Sequence, residues 1–329
     1  MPTPPSPAGF LLTRHRLRLW EAVPWLIAIA AYFAFNDYLA LLTTIVVYIL
    51  FAVSLDLVLG YGGIVTLGHA ALFGSGAYAA SLLAKYGWTE PITGLIAAGA
   101  AGALIGLMSG WVLLRTHGLT LLTLTFATTI MLQELSNARA DITGGFDGIV
   151  GLQIEPVLGL FPFNPLYPTT QYFYAVAVLF VLFALTRTIT YSPFGQALVG
   201  IRENVQRMHA VGSPVHARRV LVYVIAAAIA GVAGGLFAQV EAGITLHVLS
   251  FELSGTILIM LILGGTGRLY GAFVGVAVYL ILQDLLQKEW PEYWEFGVGL
   301  VLVLVVLFAR NGLLGVIEGA LDRVRRQPR

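Results

Sequence analysis

The 329-residue chain contains no cysteine, which excludes a disulfide framework, a thiolate metal site and a cysteine nucleophile, and leaves the redox compartment unreadable from thiols. Charge is scarce as well. Asp, Glu, Lys and Arg make up 11% of the residues, against about 25% in an ordinary soluble domain. Lysine is confined to Lys85, followed by Tyr86, and Lys288, followed by Glu289. The phosphate-cradling pattern, which needs a lysine followed by Ser or Thr, therefore cannot occur, and any ATP chemistry belongs to another chain. His15, His69, His117, His209, His216 and His247 are scattered, without the spacing of a zinc site or of H-E-x-x-H, so neither a metal centre nor an intramembrane enzyme is expected. The near-neutral net charge says little about partners.

What the chain has is hydrophobicity, 58% of its residues, and the bilayer is its solvent. The run 298–308 is apolar on every face, whereas a transmembrane barrel needs alternating segments of about ten residues. The reading is one all-α, polytopic membrane helical bundle. At about 20 residues per span, there is room for about ten helices, near residues 20–35, 38–59, 64–84, 92–114, 119–135, 172–185, 220–239, 253–263, 271–286 and 296–308. The eighth is short and bracketed by Gly255 and Gly264-Gly265, which reads as a broken or re-entrant helix.

Threading ten spans with the N-terminus inside puts only Lys85, Arg139 and Lys288 outside. Arg115, Arg187, Arg202, Arg207, Arg218, Arg219, Arg268 and both termini fall inside, as the positive-inside rule requires. Parity favours an even number of spans, eight being the alternative to ten. Arg14, Arg16 and Arg18 precede the first run without a small-residue cleavage site, so that run reads as a retained span. Residues 1–19 are then a cytosolic tail, disordered where it is Pro-rich, 20–312 the transmembrane domain and 313–329 a basic cytosolic tail. The outer loop 136–171 holds Pro156, Pro162, Pro165 and Pro168, which oppose regular helix.

The most telling feature is a polar island at 186–219, its loop proper 187–219, lying between apolar spans. It exceeds the roughly 12 to 15 residues above which unstructured connections are usually functional or disordered, and it reads as a docking element. Ile201 and Val205, four residues apart, would form an apolar anchor on one helix, with Arg202, Glu203, Asn204 and Gln206 offering polar contacts. Gly94, Ala98, Gly102, Gly106 and Gly110 recur every fourth position, as do Gly267, Gly271 and Gly275, stripes that serve helix packing. The segment 60–78 places Gly62, Gly63, Thr66, Gly68, His69 and Gly74 at membrane depth. Glycines at that density invite an unwound stretch, which a membrane tolerates only inside protein or along a cavity, so the segment is a candidate solute path. For His69 itself, an interhelical hydrogen bond is the first reading. Gly264-Gly265-Thr266-Gly267 departs from the dinucleotide fingerprint and reads as a helix break. Gln239 and Glu241 could face the path or an interface alike. Asp56, Glu134 and Asp284 lie near span ends and Glu252 beside a short span, which argues against an ion-coupled secondary transporter, whose acids sit in mid-span.

Residues 60–78 resemble the signature of permease subunits of branched-chain amino-acid ABC importers, of the LivM type. Four further stretches resemble that family in its own order: 115–124, opening on Arg115-Thr116-His117-Gly118; the outer Thr143, Gly144, Gly145, Asp147, Gly148 pattern; 192–204, from Ser192-Pro193-Phe194 to Glu203-Asn204; and the glycine turn 263–272. The resemblance implies that 193–212 folds as a short helix docking on a cytosolic ATPase through Pro193, Phe194, Gly200, Ile201, Arg202, Glu203, Asn204, Val205 and Gln206. Asp147 would cap a turn or meet a binding protein. It implies a multi-pass protein of the bacterial plasma (inner) membrane that moves branched-chain or related hydrophobic amino acids into the cytoplasm. The same architecture serves urea and short-chain amides. The implied partners are a homologous, LivH-like permease subunit, two cytosolic ATPase subunits that bind the ATP, an extracytoplasmic solute-binding protein and the lipid bilayer. Neither nucleic acid nor a cofactor of its own is implied.

Overall fold

A backbone in hydrocarbon must satisfy its amides internally, and the chain does so almost throughout by helix. The computed structural model describes residues 19–157, 161, 163, 168–308 and 312–315. The expected tails, with Arg14, Arg16, Arg18 and residues 316–329, and the loop prolines Pro162 and Pro165 lie outside the described residues.

After a turn at Leu19–Ala22 come α1 (Val23–Ala34) and α2 (Leu39–Asp56), the latter continued by a π-helical turn, Leu57–Tyr61. Then follow α3 (His69–Lys85), α4 (Pro91–Leu113), α5 (Leu119–Ala138), a one-turn α6 (Ala140–Thr143) and α7 (Pro168–Tyr191). Two short helices, α8 (Pro193–Glu203) and α9 (Val205–Ala210), lead into the long α10 (Val215–Val240), and α11 (Phe251–Gly264), α12 (Gly271–Glu289) and α13 (Trp294–Phe308) follow. Strands β1 (Ile149–Val150) and β2 (Gly243–Ile244) pair antiparallel, Ile149 opposite Ile244. Because α7 and α10 run the length of the bundle, the α8–α9 pair and the β1–β2 ribbon lie at opposite ends.

Each of the ten expected apolar runs overlaps a helix. Among the described residues, six helices are long and apolar enough to cross a membrane: Asn36–Tyr61, Pro91–Leu113, Leu119–Ala138, Pro168–Tyr191, Val215–Val240 and Gly271–Glu289. Three more, Val23–Ala34, Phe251–Gly264 and Trp294–Val305, are apolar but shorter. The third expected run, 64–84, differs most. Its first residues are not helical, because Gly63 turns the backbone to φ +65° and α3 starts only at His69.

Helix starts follow local chemistry. The Glu90 carboxylate accepts the Ile92 and Thr93 amides ahead of α4, at 3.3 and 2.6 Å, with Pro91 at the first helical position. Ser250 caps α11 by accepting from Leu253 N at 3.1 Å. The small-residue stripe of α4 faces α10: a Cβ built on Gly102 would lie 2.3 Å from the Ala227 carbonyl oxygen, and one on Gly106 2.4 Å from the Ala227 Cβ. On α12, a Cβ at Gly275 would lie 2.0 Å from the Met260 carbonyl of α11. Both stripes therefore let helices of this chain meet backbone to backbone. The core lies between α2, α3 and α10, where Phe51 and Phe73, both fully buried, sit 4.4 Å apart between ring centroids.

Candidate coupling and solute-path site

The α8–α9 pair is built by capping residues. The Ser192 hydroxyl accepts from Gly195 N at 3.3 Å, with Pro193 at the first helical position, which starts α8 directly after α7. Leu198 and Ile201 are buried against the bundle. Asn204 adopts an extended backbone (φ −157°, ψ 99°) that ends α8, and its side chain accepts from Arg207 N at 2.8 Å, which starts α9. The expected apolar anchor is not formed. Ile201 is 1% exposed and turned inward, Val205 is 42% exposed and stands on the next helix, because an Asn side chain satisfies the new helix N-terminus better than the old helix can continue through it. Gly200 leaves room for Met208, whose Sδ would lie 2.9 Å from a Cβ there, so α9 folds back on α8. Pro193 is exposed, Phe194 and Gly200 are half-buried, and Arg202, Glu203, Asn204, Val205, Gln206 and Arg207 form a continuous exposed run.

Arg202 also reaches inward. Its guanidinium donates to the Gly60 carbonyl in the π turn. That carbonyl has been released from the helical ladder: Gly62 N bonds back to Leu57 O at 3.1 Å, and Ile64 N bypasses Gly60 to bond Val58 O at 3.0 Å. One turn earlier, the buried Asp56 accepts the Gly267 amide on Oδ1 at 2.7 Å. Gly60 must be glycine here, since a Cβ would lie 2.1 Å from Asp56 Oδ1 and 2.4 Å from Gly267 N. The expected break at Gly264–Gly267 is present as the gap between α11 and α12, and it is pinned to the end of α2 through Asp56.

In the glycine-rich segment, Gly63 is exposed, whereas Gly62, Thr66, Gly68, His69 and Gly74 are buried within this chain. The unwound stretch is strapped to α5 by Leu67 N, which donates to Thr125 Oγ1 at 3.2 Å, and is tied to itself by Gly68 N, which donates to Thr66 Oγ1 at 3.1 Å. His69 opens α3 with its Nε2 2.8 Å from Ser54 Oγ, and its ring stacks on Phe51. The Ser54 hydroxyl hydrogen goes to the Phe51 carbonyl at 2.6 Å, so Nε2 is the imidazole's donor. His69 thus makes the interhelical bond that the sequence favoured. The next amide, Ala70 N, is taken by Ser254 Oγ of α11 at 2.9 Å, and a Cβ on Gly74 would lie 2.4 Å from Leu249 Cδ2.

At the opposite end, Thr143 Oγ1 donates within reach of two carbonyls, Ser136 at 2.5 Å and Arg139 at 2.8 Å. Gly144, Gly145 and Gly148 all have positive φ. The turn they make feeds β1, which the pairing with β2 fastens to the end of α10, leaving Asp147 exposed at its tip. Gln239 is buried and donates to the Pro91 carbonyl at 2.8 Å, a structural bond between α10 and the start of α4. Glu241, just past α10, is held above the usual carboxylate range by burial. Asp56, Gly60 and Gly267 did not stand out as a group in the sequence. The signal that could have found them is a carboxylate embedded in an otherwise apolar run.

A family model described as "Branched-chain amino acid transport system / permease component" matches residues 38–306. The chain is 29% identical over 301 residues to the high-affinity branched-chain amino acid transport system permease protein LivM of Escherichia coli (strain K12), which covers 83% of this chain and 68% of that protein. Identity to the LivM of Salmonella typhimurium is 29% over 300 residues, with the same shares covered. The LivH permease of Escherichia coli (strain K12) is 26% identical over 296 residues, 82% of this chain and 91% of that protein. No solved structure matches the chain.

Proposed function

This chain belongs to the branched-chain amino acid transport permease family, and we propose that it is the membrane-spanning subunit of an ATP-driven importer that carries branched-chain or related hydrophobic amino acids into the cytoplasm. The observation that carries the reading is the exposed run Arg202–Arg207 on α8 and α9, held by Leu198 and Ile201 against the membrane helices. Such a surface offers charge-assisted contacts to a groove while its buried side transmits load to the bundle.

The chain lacks the lysine pattern of a phosphate-binding loop, so two cytosolic ATPase subunits bind and hydrolyse the ATP. Their closure moves α8–α9, and the membrane subunits, this chain and a homologous LivH-like partner, open alternately to the two sides. An extracytoplasmic binding protein delivers the solute to the end bearing the β1–β2 ribbon and the Gly144–Gly148 turn. Gly62, Gly63, Thr66, Gly68, His69 and Gly74 belong to the moving wall of the solute path. The protein crosses the bacterial inner membrane about ten times, the three shorter apolar helices and α3 joining the six long ones, with both termini in the cytosol. That arrangement places α8–α9 on the Arg-rich side.

The test is reconstitution with the partner permease, the ATPases and the binding protein, followed by binding-protein-dependent ATP hydrolysis and uptake of labelled leucine and urea. Leucine uptake supports the reading. Urea uptake keeps the machine and changes its cargo, and ATP-independent transport by this chain alone overturns the assignment.

A further inference from the structure

Arg202 has two sides. It stands in the exposed run that faces outward, yet its guanidinium ends on the Gly60 carbonyl. The same guanidinium closes over the glycine break, since a Cβ on Gly267 would lie 3.1 Å from Nη1 of Arg202. A Cβ on Gly63 would lie 2.6 Å from Arg202 Cγ, so the aliphatic stem lies along the unwound segment. Asp56 completes the group. It is fully buried, accepts Gly267 N–H on Oδ1, and its Oδ2 has no hydrogen-bond partner among the described residues.

Three elements with freed backbone therefore meet around these two side chains: the π turn after α2, the unwound stretch before α3 and the break between α11 and α12. We propose that Arg202 and Asp56 form a strut that carries displacement of α8 to the α11–α12 break, with Arg202 holding the π turn and Asp56 holding Gly267. In this role both are positioning residues, acting through the bonds their side chains make to this chain's own backbone. A rigid path is needed because packed elements transmit force only through links that hold while the ends move. A bare glycine loop would absorb the displacement, whereas a hydrogen bond from the Gly267 amide to a buried side chain fixes it. The transport consequence of the strut rests on the importer reading; the link itself does not.

The test has two arms on the full-length chain. Hydrogen exchange of peptides covering 57–63 and 264–270 is measured for the wild type, Asp56→Ala, Asp56→Asn and Arg202→Ala. Asp56→Ala should speed exchange of the Gly267 amide roughly tenfold, the effect of losing one buried hydrogen bond. Asp56→Asn keeps an acceptor at Oδ1 and should stay near the wild type. Arg202→Ala, at an exposed position that does not threaten folding, should speed exchange in both peptides. The second arm measures solute moved per ATP hydrolysed in the reconstituted complex, where Asp56→Ala and Arg202→Ala should each lower the ratio at least roughly fivefold, the lower end of common coupling effects. Unchanged exchange in both Ala variants overturns the link. Faster exchange with an unaltered ratio overturns the transmission role. If the wild-type complex shows no ATP-driven uptake, the importer reading fails, and the exchange arm still decides whether the strut exists.

Discussion

Replacing Gly76 by alanine is the sharpest probe of how the bundle is held. Gly76 lies where α3 crosses α10, and a Cβ there would stand 2.1 Å from the Gly231 carbonyl oxygen and 2.4 Å from its Cα. Carbon atoms normally rest about 3.5 Å or more apart, so the two helices must separate by roughly 1 Å. Overpacking costs about 1 to 3 kcal/mol when a side chain can move aside. Here the obstacle is backbone on a helix wedged between α3 and α4, which puts the expected loss at the upper end, about 3 kcal/mol. Two controls bracket it. At Gly99 the nearest atom is Val232 Cγ2 at 2.9 Å, a side chain that can turn, so Gly99→Ala should cost less than about 1.5 kcal/mol. At Gly255 nothing lies within 4 Å, and Gly255→Ala should be neutral or stabilising by up to about 1 kcal/mol through helix propensity. The assay is the fraction of detergent-solubilised protein that stays monodisperse by size exclusion after graded heating. The expected order is Gly255→Ala, then Gly99→Ala, then Gly76→Ala as the least stable. Equal survival of Gly76→Ala and Gly255→Ala would refute the argument that backbone contact between α3 and α10 holds the core.

Asn204→Ala removes the side chain that starts α9 and should destabilise that helix by about 1 kcal/mol. Asp at the same position should restore it, and limited proteolysis between residues 204 and 212 reads the difference. Ser54→Ala takes away the hydrogen-bond partner of the buried His69 ring, whose Nδ1 has none among the described residues. It should cost about 1 to 3 kcal/mol, seen as a lower thermal midpoint of the solubilised chain; an unchanged midpoint would mean that the bond contributes nothing.

The helices were legible because length and apolarity are local properties, and so were the starts at Pro193 and Pro91. The stripes at every fourth position told which faces would touch, and Gly102 and Gly275 lie against backbone as those stripes required. What a local reading missed is competition between two local signals. Ile201 and Val205 have helical spacing, but Asn204 between them is a capping residue, and the cap won. The π turn was hidden for a related reason: nothing in Leu57-Val58-Leu59-Gly60-Tyr61 distinguishes it from the helix it extends. The partner of Asp56 lies 211 positions away, and no periodicity reports a pairing of that range.

Several of the polar residues set in this apolar chain have a common account in the backbone. Wherever a span departs from the α-helical ladder, a backbone group is left over that hydrocarbon cannot satisfy. Gly60 O is left over by the π turn and goes to Arg202; Gly267 N is left over by the break and goes to Asp56; Leu67 N in the unwound stretch goes to Thr125, and Ala70 N at the start of α3 to Ser254. An ion-coupled transporter would need acids free to take up a cation in mid-span. Asp56, the fully buried acid among the described residues, already spends one oxygen on an amide of the glycine break. Turning Oδ1 away would strand Gly267 N–H, so that oxygen is committed to holding the break.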